Sequence, residues 1–149
     1  VAVRLLRVAY FQVMECIPVI PDTITTKQAR ELNPLVLAFV GDSVQTLYVR
    51  THLAVTSTAK SGALHNIAAG QISARAQSKS ADKAIAVFNE DEADIYRRAR
   101  NNHTLHGAKN ASIADYKKAS GLEAVLGYLY LTGQKQRLET ILALTETAE

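Results

Sequence analysis

The chain has 149 residues, 48% apolar and 21% charged, with a net charge of +3 and one cysteine. That length fits one domain with a real hydrophobic core. A single cysteine excludes an internal disulfide framework and a Cys-rich zinc site, and favours a reducing compartment such as the cytoplasm. The longest apolar runs, 35–40 and 124–131, fall far short of the ~20 residues that span a bilayer, so no membrane partner is expected.

Residues 1–26 are weakly patterned and are set apart as an N-terminal extension from a domain over 27–149. The opening VAVRLLRVAYFQV carries two arginines on an apolar body. It lacks the small-residue cleavage site of a signal peptide. Met14 is therefore the expected initiator, with 1–13 a leader or a poorly structured extension. Ile17-Pro18-Val19-Ile20-Pro21 reads as extended, because the residue before a proline avoids helical angles. Thr25 or Thr26 caps a short turn over 27–32.

A long helix follows from 34 to about 52. Asn33 is a good N-cap, and Pro34 stands where its missing N–H is harmless. From 35 to 49 apolar residues fall on nearly every face, which predicts a buried helix. Gly41-Asp42 interrupts it. Glycine costs roughly 1 kcal/mol against alanine inside a helix, and aspartate is almost never buried unless paired. Stability alone calls for neither.

The spacing of Leu64, Ile67, Ala68, Gln71, Ile72 and Ala76 predicts a helix over 60–79. A second piece covers 81–88, and Asn89 caps a helix over 90–101. Residues 102–114 have no sustained period and read as a loop, long enough to be functional. The next helix runs from 115 to 131, Gly133 closes it, and a last amphipathic helix covers 134–145. No strand pattern survives beside these. The fold class is all-α.

Charge is unevenly distributed. Residues 97–118 hold six Lys/Arg against one acid, Asp115, and follow an acidic stretch at 90–94. Acid first and base last suits a helix dipole, but the basic tract continues into the loop, which the dipole does not explain.

The helix over 115–131 repeats the oddity of the first long one. Its second half is apolar all round, yet it contains Glu123 and, one turn on, Gly127. Glycines allow close backbone approach, which brings the two acids to one level. Neighbouring carboxylates repel and suffer desolvation unless a cation joins them, and Mg²⁺ suits one or two carboxylates with water and phosphate oxygens. The alternative pairs Asp42 with an arginine and leaves Glu123 at an exposed edge. His103 and His106 lack further ligands for zinc, and His65 reads as a packing or hydrogen-bonding residue. Ser43 and Ser120 lack the base that a nucleophilic serine needs.

Ala38-Phe39-Val40-Gly41-Asp42-Ser43-Val44 resembles the signature helix of the ribonuclease III family. Leu122-Glu123-Ala124-Val125-Leu126-Gly127 resembles its second catalytic motif. Gly62-Ala63-Leu64-His65 with Ile72-Ser73-Ala74-Arg75-Ala76-Gln77 is similar to the intervening helix. Arg97-Arg98-Ala99-Arg100-Asn101, Lys109-Asn110 and Asp115-Tyr116 resemble the short branch called Mini-ribonuclease III. Two further acids of full-length ribonuclease III are replaced by Ala38 and Ser120, and no double-stranded-RNA-binding domain is expected, both as in the short branch.

The resemblance implies a ribonuclease III-type helical domain and a Mg²⁺-dependent endoribonuclease of double-stranded or structured RNA. It implies catalysis and metal binding by Asp42 and Glu123, with 5′-phosphate and 3′-hydroxyl products. A homodimer is implied, with Leu35 and Phe39 facing the partner, as is a role in maturation of large-subunit (23S) ribosomal RNA. Without an accessory domain the chain must hold RNA itself. Arg97, Arg98, Arg100, Lys109 and Lys117 are the expected phosphate contacts, with His103 and Asn110 as hydrogen-bond partners. A non-catalytic RNA-binding or ribosome-associated domain of the same fold is the alternative, motivated by Ala38 and Ser120.

Overall fold

The computed structural model describes residues 23–103 and 111–146. They form seven helices: α1 (Thr26–Glu31), α2 (Pro34–Thr56), α3 (Ser61–Gln71), α4 (Ala74–Ile85), α5 (Glu90–Arg100), α6 (Ile113–Leu131) and α7 (Lys135–Leu144). No strand occurs among the described residues, so the fold is all-α as expected. Residues 1–22, and with them Met14, lie outside the described part, as do 104–110 with His106, Lys109 and Asn110.

Local hydrogen bonds set the helix ends. Thr25 and Gln28 form a capping box at α1, and Asn89 and Glu92 form another at α5. Asn33 accepts from the Leu35 N–H at 2.9 Å ahead of Pro34. Ser112 accepts from the Asp115 N–H at 3.0 Å, so α6 begins two residues before Asp115. Gly133, at φ 69°, closes α6 as a C-terminal cap, with the Gln134 N–H on the Leu129 carbonyl.

One expected helix is two. The helix expected over 60–79 breaks at Ile72 and Ser73. Ser73 donates to the Gly70 carbonyl at 3.0 Å and accepts from the Ala76 N–H at 3.3 Å. This local alternative to the helical ladder ends α3 and starts α4. Of the piece expected over 81–88, residues 81–85 are the second half of α4 and 86–88 lie beyond its end.

Helix α6 is the axis of the fold. Leu122, Ala124, Val125, Leu126, Tyr128 and Leu129 are all buried, and α2, α4 and α5 pack around them. Helix α2 departs from the buried helix that its composition predicts. It buries Leu37, Ala38, Gly41, Gln45, Val49 and Leu53, but exposes Val36, Leu47, Val55 and Phe39, the last at 78%. Neighbouring helices cover one side of α2, leaving an apolar face open. His65 is also exposed and does not pack into the core. It lies on the rim of a cleft of about 180 Å³ beside Arg50 and Ser61.

Two contacts fix the frame. Glu92, fully buried, receives two hydrogen bonds of 2.7 Å from Arg137, which ties α7 to the start of α5. The Ile24 N–H donates to the Leu131 carbonyl at 2.9 Å, joining the chain ahead of α1 to the end of α6. No helix among the described residues is long and apolar enough to cross a membrane.

Candidate active site

The site begins with two glycines. A Cβ on Gly41 would stand 1.7 Å from the Glu123 carbonyl oxygen, and one on Gly127 would stand 1.9 Å from that of Leu37. Neither space holds a methyl group. The backbones of α2 and α6 therefore touch where each carries its acid, as the paired glycines predict.

The acids differ in surroundings. Glu123 is half-buried, while Asp42 is exposed to solvent, contrary to the expectation of a buried aspartate. The Glu123 carboxyl is pushed up to about 7, first by burial and then by the negative charge of Asp42, with a partial offset from a hydrogen bond to Gln77. The two carboxylates thus interact. Neither is ion-paired to a described arginine or lysine, so the alternative of an Asp42–arginine pair finds no support among the described residues.

No three His, Cys, Asp or Glu side chains converge on a metal-sized space among the described residues. Ala38 and Ser120, one turn before each acid, are buried at 6% and 5% exposure. The donor set is thus two hard carboxylates, one open to solvent. That fits a hard divalent ion that keeps several waters and accepts phosphate oxygens.

Behind the acids stand Gln45 and Gln77, 1% and 2% exposed, joined by a 2.8 Å hydrogen bond. Sequence reasoning singled out neither as a site residue. Gln77 follows Ala74-Arg75-Ala76 in a polar stretch, where a glutamine carries no burial signal. Only its place in a motif-like segment pointed to it.

The basic residues differ in their partners among the described residues. Arg100 and His103 are exposed, and Arg97 is exposed while paired with Asp94. Arg98 donates to the Arg30 carbonyl at 2.9 Å, bracing α5 against α1. Lys117 is half-buried near the start of α6, and Lys118 pairs with Asp82 at 2.7 Å. Hydrogen bonds from Ser78 and then Ser112 hold the Asp115 carboxyl below its ordinary range. These pin the start of α6, so α5 and α6 present firm ends on either side of residues 104–110. On α2, Leu35 is half-buried and Phe39 exposed.

The chain is similar to known proteins. A Mini-ribonuclease 3 from a Thermoanaerobacter species is 38% identical over 124 residues, covering 83% of this chain and 87% of that protein. One from Brevibacillus brevis is 39% identical over 116 residues, 78% of this chain and 87% of the relative. One from Staphylococcus aureus is 38% identical over 113 residues, covering 74% and 84%. A crystal structure from Fusobacterium nucleatum superposes with a TM-score of 0.70 at 27% identity, covering 77% of this chain and 92% of that one. The ribonuclease III domain matches residues 35–134, a span that contains both acids and both glycines. On that match the chain belongs to the ribonuclease III family, alongside the Mini-ribonuclease 3 proteins, and is an endoribonuclease that acts on RNA.

Proposed function

We propose that the chain is a Mg²⁺-dependent endoribonuclease of double-stranded or structured RNA, working as a homodimer with Asp42 and Glu123 as its catalytic pair. The observation that carries this reading is the Glu123 carboxyl, held half-buried beside Asp42 with no described basic side chain to neutralise the two. Two acids so arranged are stabilised together by a cation from solution. Asp42 and Glu123 would hold it, and Mg²⁺ there supplies Lewis-acid stabilisation of phosphodiester charge and activation of water. The chain's own part is to fix the acids on touching helices, with Asp42 on the open side where RNA arrives. The products carry 5′-phosphate and 3′-hydroxyl ends.

The open face of α2 supports the dimer. At 100° per residue, Val36, Phe39 and Leu47 fall within about 80° of one another, a single apolar stripe on a helix. Leu35 flanks that stripe, and a second copy of α2 would cover Leu35 and Phe39. RNA duplexes are recognised by shape, phosphates and 2′-hydroxyls. Arg97, Arg100, His103 and Lys117 provide donors, and Lys109 and Asn110 fall between His103 and Lys117 in the sequence. Arg98 keeps donors beyond the one on Arg30, because a guanidinium has five N–H groups. Following the branch it resembles, the natural substrate is a precursor of large-subunit (23S) ribosomal RNA, met in the cytoplasm.

The test is cleavage of a long RNA duplex and of a large-subunit ribosomal RNA precursor, in Mg²⁺ and in EDTA, with the product ends identified. Cutting in Mg²⁺ alone, leaving 5′-phosphates, is expected. Full activity in EDTA would overturn the metal dependence. Salt-sensitive duplex binding without turnover would favour the non-catalytic RNA-binding reading.

A further inference from the structure

Three helices meet at one amide behind the acid pair. Gln45 stands on α2, three residues beyond Asp42, and Gln77 stands on α4. Gln77 Nε2 donates to Gln45 Oε1 at 2.8 Å, and the Gln77 amide lies beside the Glu123 carboxyl on α6, which it pulls down. An amide nitrogen carries two N–H groups. With one directed at Gln45, the other remains for the Glu123 carboxylate.

Stability gives little reason for this pair. Replacing both partners of a buried hydrogen bond by apolar groups of the same shape is nearly neutral. Two glutamines buried between packed helices therefore need a role outside their own bond. The third member of the cluster, Glu123, provides one.

We propose that Gln77, locked by Gln45, is the positioning residue of Glu123, holding its carboxylate in one orientation so that its free lone pairs meet Asp42 at a common ligand. The proposal rests on the reading of Asp42 and Glu123 as the metal-holding pair. Hydrogen-bond partners of ligating carboxylates typically change metal affinity or activity by about 10–100-fold when removed. An effect of that size is expected here, exerted on metal binding and turnover with duplex binding unaffected.

The test uses the full chain with Gln45→Met and Gln77→Met combined, which leaves no buried amide without a partner. Gln77→Asn is the second variant; it keeps the amide but draws it back by one methylene. The first readout needs no RNA: the rise of Tm with added Mg²⁺, read as a midpoint concentration. The second is single-turnover cleavage set against duplex Kd. Both variants should fold in EDTA, shift the Mg²⁺ midpoint upward by about 10-fold or more, and slow cleavage comparably. Duplex Kd should be unchanged, and excess Mg²⁺ should restore part of the rate. A wild-type midpoint in both variants overturns the proposal, as does a variant that lowers Tm in EDTA without moving the midpoint. If the wild type itself shows no Mg²⁺-dependent rise, or if Asp42→Asn retains it, the acid-pair reading fails and this proposal with it. If the wild type responds, Asp42→Asn does not, and the glutamine variants respond normally, only this proposal fails.

Discussion

Glu123→Gln should make the metal-free protein more stable while abolishing its activity. The Glu123 carboxyl rises from 4.5 to about 7 on folding. Between those values the folded chain holds a proton that the unfolded chain has lost. Wild-type stability therefore falls as pH rises from about 4.5 to about 7, and stays low above that. At 1.36 kcal/mol per unit the loss is about 3 kcal/mol. Gln has nearly the same shape, can accept from Gln77, and has no charge for burial or Asp42 to disfavour. Urea denaturation in EDTA at pH 8 should show the variant more stable by about 2–3 kcal/mol, equivalent to roughly 5–10 °C in Tm. At pH 4.5 the difference should shrink below about 0.5 kcal/mol. Saturating Mg²⁺ should stabilise the wild type and not the variant, narrowing the gap at pH 8. A variant no more stable than wild type at pH 8, or a difference independent of pH, would refute the claim that burial and Asp42 strain this carboxyl.

Other residues of the frame give equally direct tests. Gly41→Ala and Gly127→Ala each drive a methyl group into a backbone carbonyl, so each should destabilise by more than about 3 kcal/mol in urea denaturation. Gly62→Ala, where the added carbon meets nothing within 4 Å, should stabilise by about 0.5–1 kcal/mol. Arg137→Met leaves Glu92 buried without its cation and should cost about 3–5 kcal/mol, whereas Arg30→Ala at an exposed ion pair should cost less than about 1 kcal/mol. Phe39→Glu should shift sedimentation from dimer to monomer without lowering helix content; an unchanged dimer would show that the exposed stripe of α2 is not the interface.

The sequence made the helices legible because their ends are chemically marked. Asn33-Pro34, Asn89 with Glu92, and Gly133 each act as their residue types predict. The glycine–acid pairing was legible for the same reason: a glycine inside an apolar helix has a cost that only a close neighbour explains. The break at Ser73 was not, since apolar spacing runs across it and a side-chain hydrogen bond decides the matter. Nor was the open face of α2, because hydrophobicity indicates that a surface will be covered, not whether its own chain covers it. Gln77 was hidden most completely: its burial depends on α2 and α6 crossing in front of it, a tertiary fact with no local trace.

The central claim is that Asp42 and Glu123 act as one metal-dependent catalytic pair, and Asp42→Asn tests it most directly. The substitution removes a charge at an exposed position, so folding and duplex binding should be retained. Single-turnover cleavage of an RNA duplex in saturating Mg²⁺ should fall by several orders of magnitude against wild type, with duplex Kd unchanged. Cleavage by Asp42→Asn at the wild-type rate would contradict the account.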